Sequence, residues 1–148
     1  LGWVGGNYRG ASMYAARFAA MDALRKRYAC NFASGVYFED MADVYGQARI
    51  GWHMSVTGSD LDMRPFEIMC SGTPLVADKS AGSGIGDLVT QGAEWLAYDD
   101  DYEMMAVLDA LLEDEAHRET VGAAGREAML AAHTYQHRAA EMLEVCGG

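Results

Sequence analysis

The chain has 148 residues and a formal net charge of −11, because 22 Asp and Glu residues outnumber 11 Lys and Arg residues. Apolar residues make up 51% of it, which excludes a disordered protein, and the acidic balance argues against nucleic acid or an anionic membrane as the main partner. The sequence contains no run of eighteen apolar residues and no signal peptide, so a transmembrane segment is not expected.

The three cysteines, Cys30, Cys70 and Cys146, are an odd number without C-x-x-C spacing. We interpret them as reduced thiols, which predicts a cytoplasmic protein. The chain does not begin with Met, and Leu1–Gly5 already has the pattern of a strand. We therefore expect it to be a piece of a longer polypeptide.

In the first third of the chain, apolar runs alternate with helical periodicity. The pattern predicts strands over Leu1–Gly5, Cys30–Ala33 and Ala48–Ser55, and helices over Ser12–Tyr28 and Asp40–Gln47. Helix Ser12–Tyr28 would bury a stripe made by Met13, Ala16, Phe18, Met21 and Leu24.

The stretch Arg64–Asp78 combines a short helix with a buried strand. Pro65 suits the first turn of a helix, and Asp62 can cap that turn from just outside. Gly72 then ends the helix before the apolar strand Thr73–Ala77. The spacing predicts one apolar face, formed by Phe66, Met69 and Cys70, with Glu67 one step off it.

The remainder of the chain is mostly helical. We predict a helix over Ile85–Gln91 closed by Gly92, a strand over Glu94–Tyr98, and helices over Tyr102–Leu112, Glu115–Ala132 and Tyr135–Val145. Within Glu115–Ala132, glycines at 122 and 125 predict close packing or a bend. The alternation predicts one α/β domain over residues 1–148: a Rossmann-like doubly wound parallel sheet of about five strands with C-terminal helices.

Ligands of such sheets bind where parallel strands end, at the topological switch point. Three loops are predicted to converge there, namely Gly5–Gly10, Val56–Arg64 and Lys79–Gly86.

Two of these loops offer glycines for an anion. The N–H groups of Gly5 and Gly6 can approach a phosphate, with Arg9 adding charge; the alternative is a tight turn. Gly82 and Gly84 can present N–H groups to phosphate or sugar oxygens, and a plain flexible loop is the alternative. No G-x-G-x-x-G and no P-loop sequence occurs, which disfavours dinucleotide and P-loop sites.

Arg64 and Glu67 are three residues apart on one predicted helix and can face the same direction. Arg64 would meet a diphosphate while Glu67 accepts hydrogen bonds from ribose hydroxyls. The alternative is a surface ion pair of little energetic value.

The histidines allow a metal reading that we do not favour. His133 and His137 have an i, i+4 spacing that can ligate zinc, but no third ligand is evident. A helix junction capped by Thr134, with Tyr135 packed, is preferred. His53 lies beside a predicted ligand-facing loop, and we interpret it as a core histidine with its hydrogen bonds satisfied.

The segment E-I-M-C-S-G-T-P-L-V from Glu67 resembles E-A-M-A-C-G-x-P-V-V of retaining glycosyltransferases with the GT-B fold. The preceding R-P-F-E-I resembles the glycosyl transferases group 1 branch that includes CgeB-like proteins. Three later segments are also similar to the family in order: G-I-G-D-L-V-T-Q-G-A-E-W-L-A-Y from Gly84, L-L-E-D-E-A-H-R-E-T-V-G-A-A-G-R-E from Leu111, and H-T-Y-Q-H-R from His133.

The resemblance implies the C-terminal, donor-binding half of a GT-B enzyme, with an N-terminal acceptor domain elsewhere in the same polypeptide. It implies a nucleotide-sugar as donor substrate and neither metal nor cofactor. Glu67 matches the second Glu of the family's E-x7-E motif, which is associated with the nucleotide ribose. The first Glu would fall at Ser59, beside Asp60, so the sugar contact departs from the family pattern.

We predict a donor domain that transfers a hexosyl group from a nucleotide diphosphate-sugar to an acceptor the sequence does not identify. Arg64 and Arg9 would stabilise the leaving diphosphate, and Glu67, Gly5, Gly6, Ser59, Asp60, Gly82 and Gly84 would bind substrate. The altered motif keeps open a catalytically inactive GT-B-like interaction module. A receiver or flavodoxin-like domain is disfavoured, because no acidic pair follows the first strand.

Overall fold

The computed structural model describes residues 1–6, 12–57, 61–79 and 84–147. The strands are β1 (Gly2–Val4), β2 (Asn31–Ala33), β3 (Gly51–His53), β4 (Leu75–Asp78) and β5 (Leu96–Tyr98). The α-helices are α1 (Ala15–Arg27), α2 (Phe38–Gly46), α3 (Arg64–Cys70), α4 (Ile85–Leu88), α5 (Asp101–Glu113), α6 (Glu115–Ala132) and α7 (Tyr135–Cys146), and a 3-10 turn (Ser12–Tyr14) precedes α1.

The five strands form one sheet in the order β2–β1–β3–β4–β5, and every pairing is parallel. The chain runs from β1 outward to β2 and then returns to β3 on the other side of β1. The winding therefore reverses between β1 and β3, which is the topological switch point of the sheet. The predicted doubly wound α/β fold is confirmed.

Two hydrophobic cores cover the two faces of the sheet, because successive strand side chains point to opposite faces. The first contains Trp3, Trp52, Val76 and Tyr98 packed with residues of α1 and α5. The second contains Val4, Leu75, Ala77 and Ala97 packed with residues of α2, α3, α4 and α6.

Helix α6 lies unusually close to its neighbours because two of its residues are glycines. A Cβ at position 122 would lie 2.4 Å from the carbonyl oxygen of Gly72, and one at position 125 would lie 2.6 Å from that of Glu94. Real Cβ atoms do not approach backbone oxygens so closely, so the predicted close packing at these glycines is confirmed.

The buried face of α3 differs from the prediction, since its buried residues are Pro65, Ile68 and Met69. Ile68 reaches the sheet because β3 has glycine at 51, where a Cβ would lie 2.3 Å from the Ile68 side chain. Phe66 and Cys70 are only half-buried and face a cleft instead.

The predicted stripe of α1 is also partly wrong. Met13 is exposed because the first residues form a 3-10 turn, and Arg17 takes a buried place on the stripe with Met21 and Leu24. Among the described helices, none is long and apolar enough to cross a membrane.

Candidate functional site

The candidate site lies at the carboxyl edge of β1, β3 and β4, which are adjacent in the sheet. Gly5 and Gly6 follow β1 directly. Four predicted site residues, Arg9, Ser59, Asp60 and Gly82, lie outside the described residues, so what we expect of them stays a prediction.

Arg64 lies at the start of α3, and its side chain is turned toward the end of β1. Its Nε donates to the carbonyl oxygen of Val4 at 2.7 Å, and its Nη1 forms an ion pair with Asp62. The guanidinium carbon is 5.7 Å from the centroid of the Trp3 ring, within the range of a cation–π contact. Arg64 therefore joins α3 to β1.

Asp62 also performs the predicted capping role, because its Oδ1 accepts the backbone N–H of Arg64 at 3.0 Å. The alternative that the sequence left open for Arg64, a surface ion pair with Glu67, is wrong. Within the described part of the chain no ion pair joins these two side chains, since the guanidinium is turned to Val4 and Asp62.

Two of the predicted site glycines, Gly5 and Gly84, have a structural reason to be glycine. A Cβ on Gly5 would lie 2.4 Å from the Trp3 ring and 3.1 Å from Nε of Arg64, so this position needs glycine for packing. Gly84 has a φ of +71° just before α4, in the left-handed region that glycine favours.

Glu67 lines a cleft of about 560 Å³ beside α3, which we call the α3 cleft. Its walls include Met41 and Tyr45 of α2, Phe66 and Cys70 of α3, and Tyr135 of α7. Among the described residues that line it, Glu67 is the one carboxylate. Such a largely apolar cavity with few polar groups has the size of a small-molecule site.

Burial raises the pKa of the half-buried Glu67 carboxyl, and nearby Asp62 acts in the same direction, while Arg64 lowers it. Tyr45 is fully buried beside this group, and its hydroxyl accepts the backbone N–H of Val4 at 3.3 Å. Burial, followed by the charge of Glu67, raises the pKa of Tyr45. The acidic group of the α3 cleft thus lies in poorly hydrated surroundings.

His53 ends β3, and its side chain is 5% exposed. Its Nε2 is 4.0 Å from Oδ1 of Asp62, and its buried Nδ1 has no hydrogen-bond partner within the described residues. Burial lowers the pKa of the imidazole, against the opposite influence of Asp62. The expected burial of His53 is confirmed, and the expected satisfaction of its hydrogen bonds is wrong.

Three side chains from different elements hold the backbone at the end of β3. The bonds run from the Tyr98 hydroxyl to the His53 carbonyl oxygen (3.0 Å), from Nε of Arg17 to the Met54 carbonyl oxygen (2.8 Å), and from the Ser55 N–H to Oδ1 of Asp78 (2.7 Å). Side chains of α1, β4 and β5 therefore fix the backbone at the edge of the sheet next to the switch point.

Lys79, which begins the third predicted loop, forms ion pairs with acidic residues. Its Nζ lies 2.7 Å from Oδ2 of Asp99 and 3.8 Å from Oε1 of Glu103. These acidic partners raise the pKa of Lys79, the hydrogen bond to Asp99 most strongly.

The junction of α6 and α7 has the predicted cap at Thr134. The N–H of Thr134 donates to Nδ1 of His137 at 3.3 Å, and among the described residues no group of three or more His, Cys, Asp or Glu side chains is arranged to hold a metal. The expected packing of Tyr135 is wrong, because this ring is 78% exposed at the rim of the α3 cleft.

Sequence reasoning missed Trp3, Arg17 and Asp78. Arg17 could have been recognised from the sequence, because it lies on the apolar stripe of the helix, four residues before Met21 and seven before Leu24. A charged side chain buried there needs a partner inside the protein. Asp78 directly follows a buried strand, which is also informative. Nothing in the sequence around Trp3 indicated that it lies under Arg64.

Comparison with known proteins agrees with this geometry. The family described as "Glycosyl transferase-like" matches residues 8–144. Among solved structures, the sucrose-phosphate synthase of Thermosynechococcus elongatus superposes with a TM-score of 0.75 at 23% identity, over 96% of this chain and 36% of that chain. This chain thus spans about a third of the length of that protein, and no curated protein sequence matches it.

Proposed function

The chain belongs to the glycosyl transferase-like family and has the fold of one half of a GT-B glycosyltransferase, and from this we propose that it is the donor-binding, C-terminal half of such an enzyme. Its substrate is a nucleotide diphosphate-sugar, from which a hexosyl group passes to an acceptor bound by an N-terminal domain. In this proposal the transfer requires no metal and no cofactor.

The observation that carries the proposal is the position of Glu67 in the α3 cleft. A nucleoside combines an apolar aromatic base with the vicinal hydroxyls of its ribose. The cleft offers aromatic and thioether side chains for the base, among them Phe66 and Met41, and one carboxylate for the hydroxyls. A carboxylate that is already partly desolvated forms strong hydrogen bonds to hydroxyl donors.

Arg64 supplies positive charge for the diphosphate. Among the described residues, its hydrogen bonds use Nε and Nη1, which leaves the Nη2 amino group for a phosphate oxygen. A guanidinium held in place by Val4 and Asp62 needs little reorganisation when charge develops on the leaving group. Arg9 and the N–H groups of Gly5 and Gly6 complete the proposed anion site. No protein nucleophile takes part.

The test is binding of UDP-, GDP- and ADP-sugars to the full-length protein, measured by thermal shift and then by isothermal titration. We expect one nucleotide class to raise the melting temperature. Glu67→Ala should weaken its binding by about tenfold, the loss of a charged hydrogen bond. Glu119→Ala, which removes an exposed carboxylate of α6, is the matched control and should change nothing. Absence of binding, or equal effects of the two variants, would refute the proposal.

A catalytically inactive interaction module is the second candidate. It is favoured by the engagement of Arg64 with Val4, Asp62 and Trp3, which gives this side chain a structural role without any substrate. Hydrolysis or transfer of a nucleotide-sugar by the full-length protein would exclude it. We also propose a cytoplasmic location, in keeping with the free thiols of Cys30, Cys70 and Cys146.

A further inference from the structure

We propose that His53 is a ligand-binding residue whose Nδ1 accepts a hydrogen bond from a hydroxyl of the donor's glycosyl group. The inference rests on the proposed function and adds to it a sugar contact on β3. It assigns a role to a side chain that neither the family motif nor the sequence reasoning marked as functional.

The first argument is the burial of an unpartnered imidazole nitrogen. The His53 side chain is 5% exposed, and its Nδ1 is without a hydrogen-bond partner in the part of the chain that the structure describes. Leaving a buried polar atom unpaired is costly, so such an atom in a native protein calls for an explanation. The buried indole N–H groups of Trp3 and Trp95 also have no hydrogen-bond partner among the described residues. Their burial is explained by the packing of their large rings in the two cores.

The second argument is position. His53 ends β3, one of the two strands that flank the switch point, where open parallel sheets bind ligands. Its side chain alternates with that of Trp52 and so lies on the α3 side of the sheet. There it faces Asp62, and Arg64 also lies on that side. Two further charged side chains lie near His53. Arg17 donates to the carbonyl oxygen of Met54, and Asp78 accepts the N–H of Ser55.

The third argument fixes which hydrogen-bonding role Nδ1 plays. The Nε2 atom is 4.0 Å from a carboxylate oxygen of Asp62, an arrangement that favours the hydrogen on Nε2, because two lone pairs facing each other would repel. Burial keeps the imidazole neutral, so Nδ1 then carries a lone pair and can only accept. It can bind a hydroxyl and cannot bind a phosphate oxygen. Since Glu67 in the α3 cleft is the proposed contact of the ribose, the glycosyl group is the source of that hydroxyl.

The experiment compares three nucleoside diphosphates with their sugars, UDP with UDP-glucose, GDP with GDP-mannose and ADP with ADP-glucose. Dissociation constants are measured for the wild-type full-length protein, His53→Phe and His53→Asn. We expect His53→Phe to weaken binding of the nucleotide-sugar by about tenfold and to leave the nucleoside diphosphate within twofold. His53→Asn should restore most of the loss, because its amide oxygen can accept near the position of Nδ1.

An equal loss for the sugar-free nucleotide would overturn the assignment to the glycosyl group. Unchanged affinities in His53→Phe would overturn the inference while leaving the proposed function intact. Absence of any nucleotide binding by the wild-type protein would refute the proposed function and this inference with it.

A second measurement does not depend on folded variants. Nitrogen-15 NMR of the wild-type imidazoles should show hydrogen on Nε2 of His53, and the Nδ1 resonance should shift on addition of the nucleotide-sugar but not of the nucleoside diphosphate. Hydrogen on Nδ1, or no shift with a saturating nucleotide-sugar, would overturn the inference.

Discussion

Replacing Arg64 by Lys should destabilise the protein even in the absence of ligand, because the guanidinium makes three contacts that one ammonium cannot reproduce. The 2.7 Å hydrogen bond to Val4 contributes about 1.5–3 kcal/mol as a charge-assisted bond. The contact with Trp3 adds about 0.5–1 kcal/mol, and the partly exposed pair with Asp62 about 0–1 kcal/mol. If the ammonium of Lys keeps the ion pair with Asp62, the hydrogen bond to Val4 and the contact with Trp3 are lost, so we expect a loss of about 2–4 kcal/mol.

For a chain of this size that loss corresponds to a melting temperature lower by about 4–16 °C. The assay is thermal and urea unfolding followed by circular dichroism. Arg25→Lys is the matched control, since Arg25 is exposed and its pair with Asp22 and its contact with the Phe32 ring at 4.9 Å are surface contacts that an ammonium can also make. Its variant should stay within about 0.5 kcal/mol of wild type. Equal melting temperatures for the two variants would show that Arg64 is not the structural link between α3 and β1 described above.

Two further predictions concern α6 and the α3 cleft. Gly122→Ala should destabilise the protein by about 1–3 kcal/mol in urea unfolding, because its Cβ would lie 2.4 Å from the carbonyl oxygen of Gly72. Gly46→Ala is the control and should leave stability unchanged, because the space around its Cβ is open. A Gly122→Ala variant as stable as wild type would contradict the close packing of α6. Glu67→Gln should change the pH dependence of stability: burial raises the pKa of Glu67, so its ionisation on going from pH 4 to pH 7 opposes folding. The variant should therefore gain stability relative to wild type as the pH rises, and a gain confined to acidic pH would show that the sign of the shift is wrong.

The order and type of the elements follow from local patterns that the chain carries in its sequence. Glu115–Ala132 was predicted with the bounds that α6 has, because its caps and periodicity are both local. The existence of a short helix that begins near Arg64 and ends before Gly72 was also predictable, because its cap by Asp62 spans only two residues. Glycines 122 and 125 were recognisable as packing positions, although their partners were not.

The site was predictable only in part, since its defining contacts join residues far apart in the chain. Arg64 contacts the carbonyl oxygen of a residue 60 positions earlier, and Tyr98 contacts that of His53, 45 positions earlier. No periodicity encodes which side chain meets which strand end. For the same reason the spacing of Arg64 and Glu67 left open an ion pair between them, whereas the fold turns the guanidinium to Val4 and Asp62 instead.

The hydrogen bonds that three side chains make to the backbone at the end of β3 have a thermodynamic consequence for recognition. The segment His53–Ser55 is ordered by Tyr98, Arg17 and Asp78 while the protein folds, so its conformational entropy is already lost before any ligand arrives. A molecule that docks at this edge meets rigid groups and does not have to immobilise them. More of the intrinsic interaction energy is then retained as affinity, which is the advantage of a preorganised binding edge.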